Sequence, residues 1–332
     1  MMKSRAKKIA TWIIVPLMAL IFILDIFTVV LANKYADSYS VEKETFTLEN
    51  GDDRIHFLNT ANSDSILVES NGRFFLVDAG EGNDNPRRKT DYKGYEQEVI
   101  DYVKKVAVVG GKVQLDFIIA THYHYDHIGS FEALINDMDI NIGKAYFKEF
   151  NEKVAKDYEL ASWKIDSTYN AVISALESRG VEIISNLPTE SFAFGDFNVK
   201  FYNTVTPEEV YGNGENASSV GIKLTKNGKS AFLAADITAS TGLEDLLAEE
   251  IGDVDILKIG HHGYYGSSSM DFLDVLKPEI AIVTNQLGKI YPNVKWNLTM
   301  HAKVPVYATY DNNGVIATFS DSGEIILSNN IH

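Results

Sequence analysis

The chain reads Thr121-His122-Tyr123-His124-Tyr125-Asp126-His127-Ile128-Gly129 at its most informative point, so that three of its eight histidines and an aspartate fall within six positions. Imidazole and carboxylate groups are the ligands that borderline-soft cations such as zinc accept. The stretch follows an apolar run over residues 115–120 that is typical of a buried strand. Because a strand is a rigid support for the loop at its end, the sequence predicts a metal site at this strand's carboxyl end.

The bulk composition limits the chemistry that the chain can use. Its 332 residues suffice for one large domain or two small ones, and 45% of them are hydrophobic. The chain has no cysteine, which excludes disulfides, thiolate ligands and a cysteine nucleophile. The formal net charge of −16 argues against a strong sequence-independent nucleic-acid binder, since such binding depends on neutralising phosphates.

The N-terminal segment differs in composition from the rest. Basic residues at positions 3, 5, 7 and 8 precede an apolar stretch over residues 9–32, and ~20 apolar residues span a bilayer. The basic flank favours a cytoplasmic start and an extracytoplasmic remainder. We expect residues 1–32 to be a retained membrane anchor, with a cleaved signal peptide as the alternative. We expect a polar tether over residues 33–43 and one catalytic domain over residues 44–332.

The rest of the chain alternates β-rich stretches and helical stretches in two halves. Asn71-Gly72 and Asn227-Gly228 each lie between apolar runs, a pattern that predicts two β-hairpins. We predict helices over residues 95–109, 127–137, 152–179 and 239–250. Two β-rich halves that each carry helices favour an α/β fold in which two mixed sheets pack face to face with helices outside, an αββα sandwich.

Three segments carry potential ligands at the carboxyl ends of apolar strands: the histidine cluster, then Asp236, then His261. Their order resembles the metallo-β-lactamase superfamily of binuclear metallohydrolases over residues 45–330. The resemblance implies the metallo-β-lactamase fold and two divalent metal ions, with zinc as the first candidate and manganese or iron as alternatives. It implies that His122 and His124 bind the first ion, that Asp126, His127 and His261 bind the second, and that Asp236 bridges the two.

The chain departs from the family pattern at one ligand. Many members carry a further histidine for the first ion between the first motif and the bridging aspartate, but none lies between His127 and His261 here. This gap argues against the lactam-hydrolysing members, and Asn203 or Thr204 is where we expect a substitute. The segment 254–263 resembles the metallo-β-lactamase domain attached to competence DNA-uptake channels. Residues 115–129 and 192–236 resemble the catalytic domain of the choline-binding phosphorylcholine esterase.

Further residues are candidates for supporting roles. Asp126 and His262 are the candidate catalytic residues, with His262 as a general acid, an oxyanion partner or only a support for a ligand. Asp78 either accepts the second N–H of a ligating histidine or is a turn residue. Lys258 either pairs with a phosphate or lines its strand. The remaining candidates for substrate binding are Asn216, Tyr264 and Tyr265, the two tyrosines through cation–π contact with a quaternary ammonium group.

The sequence therefore predicts a membrane-anchored, extracytoplasmic, metal-dependent hydrolase that acts on a small-molecule or cell-envelope phosphodiester. A surface nuclease and a carboxyl-ester or lactone hydrolase are the alternative enzymes. A non-catalytic binding module is the alternative of a different class, and the presence of both Asp126 and Asp236 argues against it. Nucleic acid as a partner is not favoured by the charge, and the sequence leaves the oligomeric state open.

Overall fold

A computed structural model describes residues 2–36, 40–41, 52–87 and 93–329. The helices are α1 Met2–Ala36, α2 Glu96–Val106, α3 Tyr125–Ile128, α4 Phe131–Asn136, α5 Ile165–Ser178, α6 Leu243–Ile251, α7 Met270–Leu276, α8 Pro292–Trp296 and α9 Thr309–Asn312. The strands are β1 Asp53–Phe57, β2 Ser65–Ser70, β3 Arg73–Ala79, β4 Val108–Val109, β5 Lys112–Leu115, β6 Phe117–Ile119, β7 Ile140–Ile142, β8 Lys144–Tyr146, β9 Glu182–Ile184, β10 Phe192–Phe194, β11 Phe197–Tyr202, β12 Gly221–Lys226, β13 Lys229–Leu233, β14 Ile256–Lys258, β15 Ile280–Val283, β16 Val306–Ala308, β17 Val315–Phe319 and β18 Ile325–Ser328.

The N-terminal helix α1 is long and apolar enough to cross a membrane over Trp12–Leu31, where its mean hydropathy is 2.8. It continues to Ala36, so the first residues of the predicted tether are helical. Residues 37–39 and 42–51 lie outside the described residues, and they include most of the remaining tether and the start of the predicted domain.

The described strands form two large mixed sheets and one small one. The first large sheet has the order β18-β17-β1-β2-β3-β6-β8-β9, antiparallel as far as β3 and parallel from β3 to β9. The second has the order β10-β11-β12-β13-β14-β15-β16, antiparallel as far as β13 and parallel beyond it. The small sheet is β4-β5-β7. Each large sheet therefore has a parallel half, and strands in such a half end at the same edge.

Three buried apolar clusters define the layers. One cluster lies between the two large sheets and includes Phe75 and Leu224. A second joins the first sheet to α2, α4 and α5, and a third joins the second sheet to α6, α7 and α8. This arrangement confirms the predicted αββα sandwich. Both predicted hairpins are also present, as β2–β3 and β12–β13.

The predicted helix over residues 152–179 is wrong in its first half. The chain instead forms a π-helical turn over Glu159–Trp163, and Lys164 then adopts a left-handed backbone (φ 58°) that separates this turn from α5. The helix predicted over residues 127–137 is likewise two short helices, α3 and α4, that meet at Gly129 and Ser130. In both regions a tertiary contact of the site outweighs the local helix propensity, as the next subsection shows for Glu159.

Candidate metal centre

The potential ligands follow strands from the parallel halves of both large sheets. The cluster from His122 to His127 follows β6 of the first sheet, while Asp236 follows β13 and His261-His262 follows β14 of the second. Because the strand ends of the two packed sheets lie at the same edge of the sandwich, side chains from distant parts of the sequence meet there.

The backbone at these strand ends is held in an uncommon conformation. Asp78, Ala235, His261 and His262 all have positive φ, between 47° and 55°. Left-handed backbone at a non-glycine residue costs of order 1–3 kcal/mol and concentrates at functional sites. At Gly260 a Cβ atom would lie only 2.1 Å from the carbonyl oxygen of Ile237, so the turn that carries the two histidines requires glycine there.

The first group of ligand atoms consists of His122, His124 and Asp236, all of them buried. The Nε2 atom of His122 lies 3.3 Å from Nδ1 of His124 and 3.6 Å from Oδ2 of Asp236. Ligands that bind a tetrahedral zinc ion at ~2.1 Å lie roughly 3.3 Å apart. These separations therefore suit a cation between the three side chains.

The second group consists of Asp126, His127 and His262. The Nε2 atoms of His127 and His262 lie 3.2 Å apart, and Oδ2 of Asp126 lies 3.7 Å from Nε2 of His262. Oδ1 of Asp236 lies 3.3 Å and 3.5 Å from the same two nitrogens. Asp236 thus turns one oxygen to each group, which is the position of a bridging carboxylate.

Two of the histidines are oriented by a shared aspartate. Nδ1 of His127 donates to Oδ2 of Asp78 at 2.7 Å. The hydroxyl of Thr121 donates to the same oxygen at 2.7 Å, so that it accepts from Nδ1 of His122 at 3.2 Å. Since Nδ1 of each ring carries the donated proton, Nε2 is left to face the centre.

The other two histidines are oriented in the same way by different partners. Nε2 of His124 donates to Oε1 of Glu159 at 2.9 Å, which leaves its Nδ1 for the centre. Thr284 donates to Oδ1 of Asp64 at 2.5 Å and therefore accepts from Nδ1 of His262 at 3.1 Å. Each of the four imidazoles thus directs one acceptor nitrogen towards one of the two groups of ligand atoms. Metal-binding histidines require such an arrangement.

Two carboxylate oxygens support the same interpretation. Within the described part of the chain, Oδ1 of Asp126 and Oδ1 of Asp236 are buried and have no hydrogen-bond partner. Buried polar atoms are nearly always satisfied, so such atoms need an explanation. A cation between the carboxylates and imidazoles supplies it, and the residues present therefore fit a binuclear metal centre.

The electrostatics of the centre are strongly coupled. Burial alone would raise the pKa of Asp236, but the neighbouring imidazoles of His127, His262 and His261 outweigh it and hold that pKa well below its ordinary value. Burial alone would lower the pKa of His127, but Asp236 and Asp78 outweigh burial and raise it. Burial and the neighbouring His127 lower the pKa of His122. Such opposed shifts within one cluster are typical of functional sites.

The two adjacent histidines differ in their burial and contacts at the proposed centre. The sequence placed His261 at the second ion and left His262 as a candidate catalytic residue, but the geometry favours the reverse. His262 is buried with both nitrogens engaged, whereas Nε2 of His261 lies 3.9 Å from Oδ2 of Asp236 and the His261 side chain is 30% exposed. Both residues have a left-handed backbone, and the side chain of the first is partly exposed while that of the second is buried.

The structure shows the contacts of three supporting residues that the sequence predicted. Asp78 is buried and contacts a proposed ligand, the position expected of it. Lys258 is wholly buried, pairs with Asp64 and donates to the carbonyl oxygen of Ala235, so it cannot contact a substrate and supports the strand end instead. This corrects the interpretation of Lys258 as a phosphate-binding residue. Asn216 lies in a short helical turn, and its Oδ1 is buried without a hydrogen-bond partner among the described residues.

The two tyrosines lie beside the outward-facing histidine. The ring of Tyr264 is 5.6 Å from that of His261, and Tyr265 is 66% exposed. Their roles in substrate binding stay predictions.

Asn203 and Thr204, where we expect a substitute for the missing third histidine, show no contact with the first group among the described residues, so that role stays a prediction. Asn203 donates through Nδ2 to the carbonyl oxygens of Ala217 and Ser219, and its Oδ1 is buried without a hydrogen-bond partner in the described part of the chain. Thr204 lines a separate cleft with Lys148. Glu159 is the acidic residue that contacts the first group, through His124, and no sequence motif marked it.

Sequence reasoning also missed Arg87. Its Nη1 lies 3.6 Å from Oδ1 of Asp126, and its Nη2 pairs with Glu81. Burial alone would raise the pKa of Asp126, but this guanidinium and the neighbouring imidazoles lower it. Arg87 lies in a polar loop whose sequence gave no signal beyond its charge.

Comparison with known proteins shows which superfamily part of the chain resembles. Residues 58–207 match the model of the metallo-beta-lactamase superfamily. This segment of the chain therefore has the fold of that superfamily, whose members are generally metal-dependent hydrolases. The fold typically binds two divalent metal ions, which agrees with the two groups of ligand atoms described above.

Individual relatives are more distant. The chain is 27% identical to ComE operon protein 3 of Bacillus subtilis (strain 168) over 177 residues, which are 52% of this chain and 20% of that protein. It is 29% identical to Recombination protein 2 of Haemophilus influenzae over 84 residues, 25% of this chain and 10% of that protein. The chain thus spans a fifth or less of these relatives. Among solved structures, the metallo-beta-lactamase fold protein YhfI from Bacillus subtilis is 12% identical with a TM-score of 0.49, over 83% of this chain and all of that one.

Proposed function

We propose that the chain is a membrane-anchored, extracytoplasmic phosphodiesterase. The observation that carries the choice of substrate is the guanidinium of Arg87 beside Asp126 at the edge of the proposed centre. A guanidinium presents paired donors that match the oxygens of a phosphate group. A neutral carboxyl ester or lactone offers no negative charge for such a group to bind.

The residues of the proposed centre would hold two cations. A pair of divalent cations, with zinc as the first candidate and manganese or iron as alternatives, would supply Lewis-acid charge and lower the pKa of water. His122, His124 and Asp236 would hold one cation, and Asp126, His127 and His262 would hold the other beside the shared Asp236.

Residues at the edge of the proposed centre would contact the substrate and protonate its leaving group. Arg87, whose guanidinium pairs with Glu81 and lies beside Asp126, would add positive charge next to a phosphate at the centre. The partly exposed ring of His261, whose buried Nδ1 has no hydrogen-bond partner among the described residues, would donate a proton to the leaving oxygen. His262 is a poor candidate for that step, because its Nδ1 is held by Thr284 and its Nε2 faces the centre.

The location outside the cytoplasm rests on the N-terminal helix. The apolar span Trp12–Leu31 follows a basic flank, the arrangement of an anchor whose start stays in the cytoplasm. Mass measurement of the mature chain from membranes tests retention of the span, since a cleaved leader would remove it.

The activity is tested with the full chain in detergent, loaded in turn with zinc, manganese and iron. We expect hydrolysis of bis-p-nitrophenyl phosphate that a chelator abolishes, and little activity on lactones. His261→Ala should lose turnover while it keeps its metal. Activity on lactones alone would overturn the phosphodiesterase proposal, and cleavage of plasmid DNA at a higher rate would favour a nuclease.

A further inference from the structure

The end of the membrane-spanning stretch contacts the catalytic domain at one place. Along the described side chains of α1, residues 12–27 are exposed, but Thr28, Val29 and Leu31 are partly covered. Val29 lines a cleft of about 300 Å³ with residues 288–292 and Lys295, from the segment that leads into α8. If α1 spans a bilayer, this segment lies level with the bilayer surface, because Val29 belongs to the last turn of the span.

The same segment is bonded to the turn that carries the site histidines. The backbone N–H of Tyr291 donates to the carbonyl oxygen of Gly263 at 2.9 Å. The ring of Tyr291 lies 6.1 Å from that of Tyr264, which in turn lies 5.6 Å from the ring of His261. A short chain of contacts therefore joins the membrane end of α1 to the exposed rim of the metal centre.

Three large side chains around this segment are exposed. Tyr265 is 66% exposed, and Met270 and Tyr291 are each 44% exposed. Tyr265 and Met270 line one cleft beside α8, and Tyr291 lines the cleft next to α1. Tyrosine is enriched where proteins meet the membrane–water interface, since its ring is apolar and its hydroxyl is polar. The exposed Lys289 between them adds a positive charge suited to lipid phosphates.

From this we infer that the substrate of the proposed phosphodiesterase is a lipid of the bilayer that holds α1, bound with Tyr265, Met270 and Tyr291 in the interfacial region. The head group would reach the centre past Tyr264 and His261. Water would add to phosphorus, one P–O ester bond would break, and the leaving oxygen would take a proton. The products are an alcohol and a phosphate monoester, of which the one that carries the acyl chains stays in the bilayer. This inference rests on the proposed function.

Contact with the bilayer is tested without reference to activity. The chain has no cysteine, so Met270→Cys gives a single site for an environment-sensitive fluorophore. Met138→Cys is the matched control, because Met138 is 75% exposed and follows α4 in the opposite outer layer. With the full chain in phosphatidylcholine and phosphatidylglycerol vesicles, nitroxide-labelled lipids should quench the label at 270 and not the label at 138. Equal quenching at both positions would overturn the inference.

The substrate class is tested in the same vesicles by mass spectrometry of the released head groups. We expect the zinc- or manganese-loaded chain to hydrolyse at least one of the two lipids. Met270→Ser should lower lipid turnover by about tenfold, as expected for lost burial of an apolar side chain, and leave hydrolysis of bis-p-nitrophenyl phosphate unchanged. The control Met138→Ser should change neither rate.

Different results would contradict the lipid substrate and the proposed phosphodiesterase function. Hydrolysis of bis-p-nitrophenyl phosphate with both lipids left intact would overturn the lipid substrate and leave the proposed phosphodiesterase standing. Equal loss of lipid turnover in Met270→Ser and Met138→Ser would also overturn it. Loss of all phosphodiester hydrolysis in the metal-loaded wild-type chain would overturn the proposed function itself.

Discussion

Asp78 and His127 form a buried pair in which Nδ1 of the imidazole donates to Oδ2 of the carboxylate at 2.7 Å, while Nε2 faces Asp236 and His262. The same carboxylate accepts from the backbone N–H of Thr121 at 2.8 Å, at the start of the histidine cluster. One aspartate at the end of β3 thus fixes both the ring of a proposed ligand and the loop that carries the others.

We expect Asp78→Asn to weaken metal binding by roughly 10–100-fold, since partners of ligating histidines have effects of this size. Competition with a chromophoric chelator measures the affinity. Asp116→Asn is the control, because Asp116 pairs with Arg73 at the surface. Equal affinities for the two variants would contradict the role given to Asp78.

The two adjacent histidines should separate metal binding from turnover. His262→Ala removes an acceptor nitrogen from the second group, so the variant should lose about one equivalent of metal per chain. His261→Ala should keep its full metal content. Elemental analysis after dialysis against a fixed zinc concentration makes the comparison, and a loss of metal only in His261→Ala would restore the assignment made from the sequence.

Lys258 should stabilise the fold through Asp64. Burial alone would raise the pKa of Asp64, but Lys258 and His262 outweigh burial and lower it, so the carboxylate is charged at neutral pH. Lys258→Met leaves that buried charge without its partner, which should cost about 3–5 kcal/mol in urea unfolding. Lys229→Met, whose partner Asp255 is nearer the surface, should cost ~1 kcal/mol or less.

A second variant controls for a simple packing defect. Asp64→Asn/Lys258→Met removes both charges and should recover part of the lost stability. If the double variant is as unstable as Lys258→Met alone, the charge pair is not the cause.

Glu244 should make stability depend on pH. Its carboxylate accepts from the backbone N–H groups of Ser268 and Ser269, and burial raises its pKa to about 7. Between ~4.3, the value for an unfolded chain, and about 7, the folded chain holds a proton that the unfolded chain has lost. The free energy of unfolding therefore falls as pH rises through this window, by up to ~4 kcal/mol in total.

Thermal unfolding between pH 5 and 8 measures this contribution. Glu244→Gln cannot titrate, so its unfolding midpoint should depend less on pH than that of the wild type, although the amide also gives up one acceptor. Glu249→Gln, at an exposed position of the same helix, should leave the profile unchanged. Parallel profiles for all three chains would show that Glu244 keeps an ordinary pKa.

The sequence predicted those structural elements whose own residues form a recognisable local pattern. The Asn-Gly turns fixed both hairpins, and apolar runs that end in polar residues placed the site at strand ends. The partners of the ligands were harder to predict, because they come from far along the chain. Glu159 reaches His124 from a π-helical turn 35 positions later, and Asp64 reaches Lys258 across 194 positions.

Backbone conformation also escaped sequence reasoning. His261 and His262 are chemically identical neighbours, and both adopt a left-handed backbone that no local sequence pattern predicted. The three residues of β14 are all buried because the sheet is covered on both faces, so burial periodicity could not show that Lys258 points into the protein. Asn203 and Thr204 were identified as substitutes by position alone, and position does not specify where a side chain points.

The central claim is that two groups of side chains sharing Asp236 bind two divalent cations. Titration of metal-free chain with zinc, followed by calorimetry and elemental analysis, tests it most directly. We predict two equivalents for the wild type and a large loss of both affinities for Asp236→Ala. A wild-type chain that binds neither zinc nor manganese, or an Asp236→Ala chain that still binds two equivalents with unchanged affinity, would contradict the account.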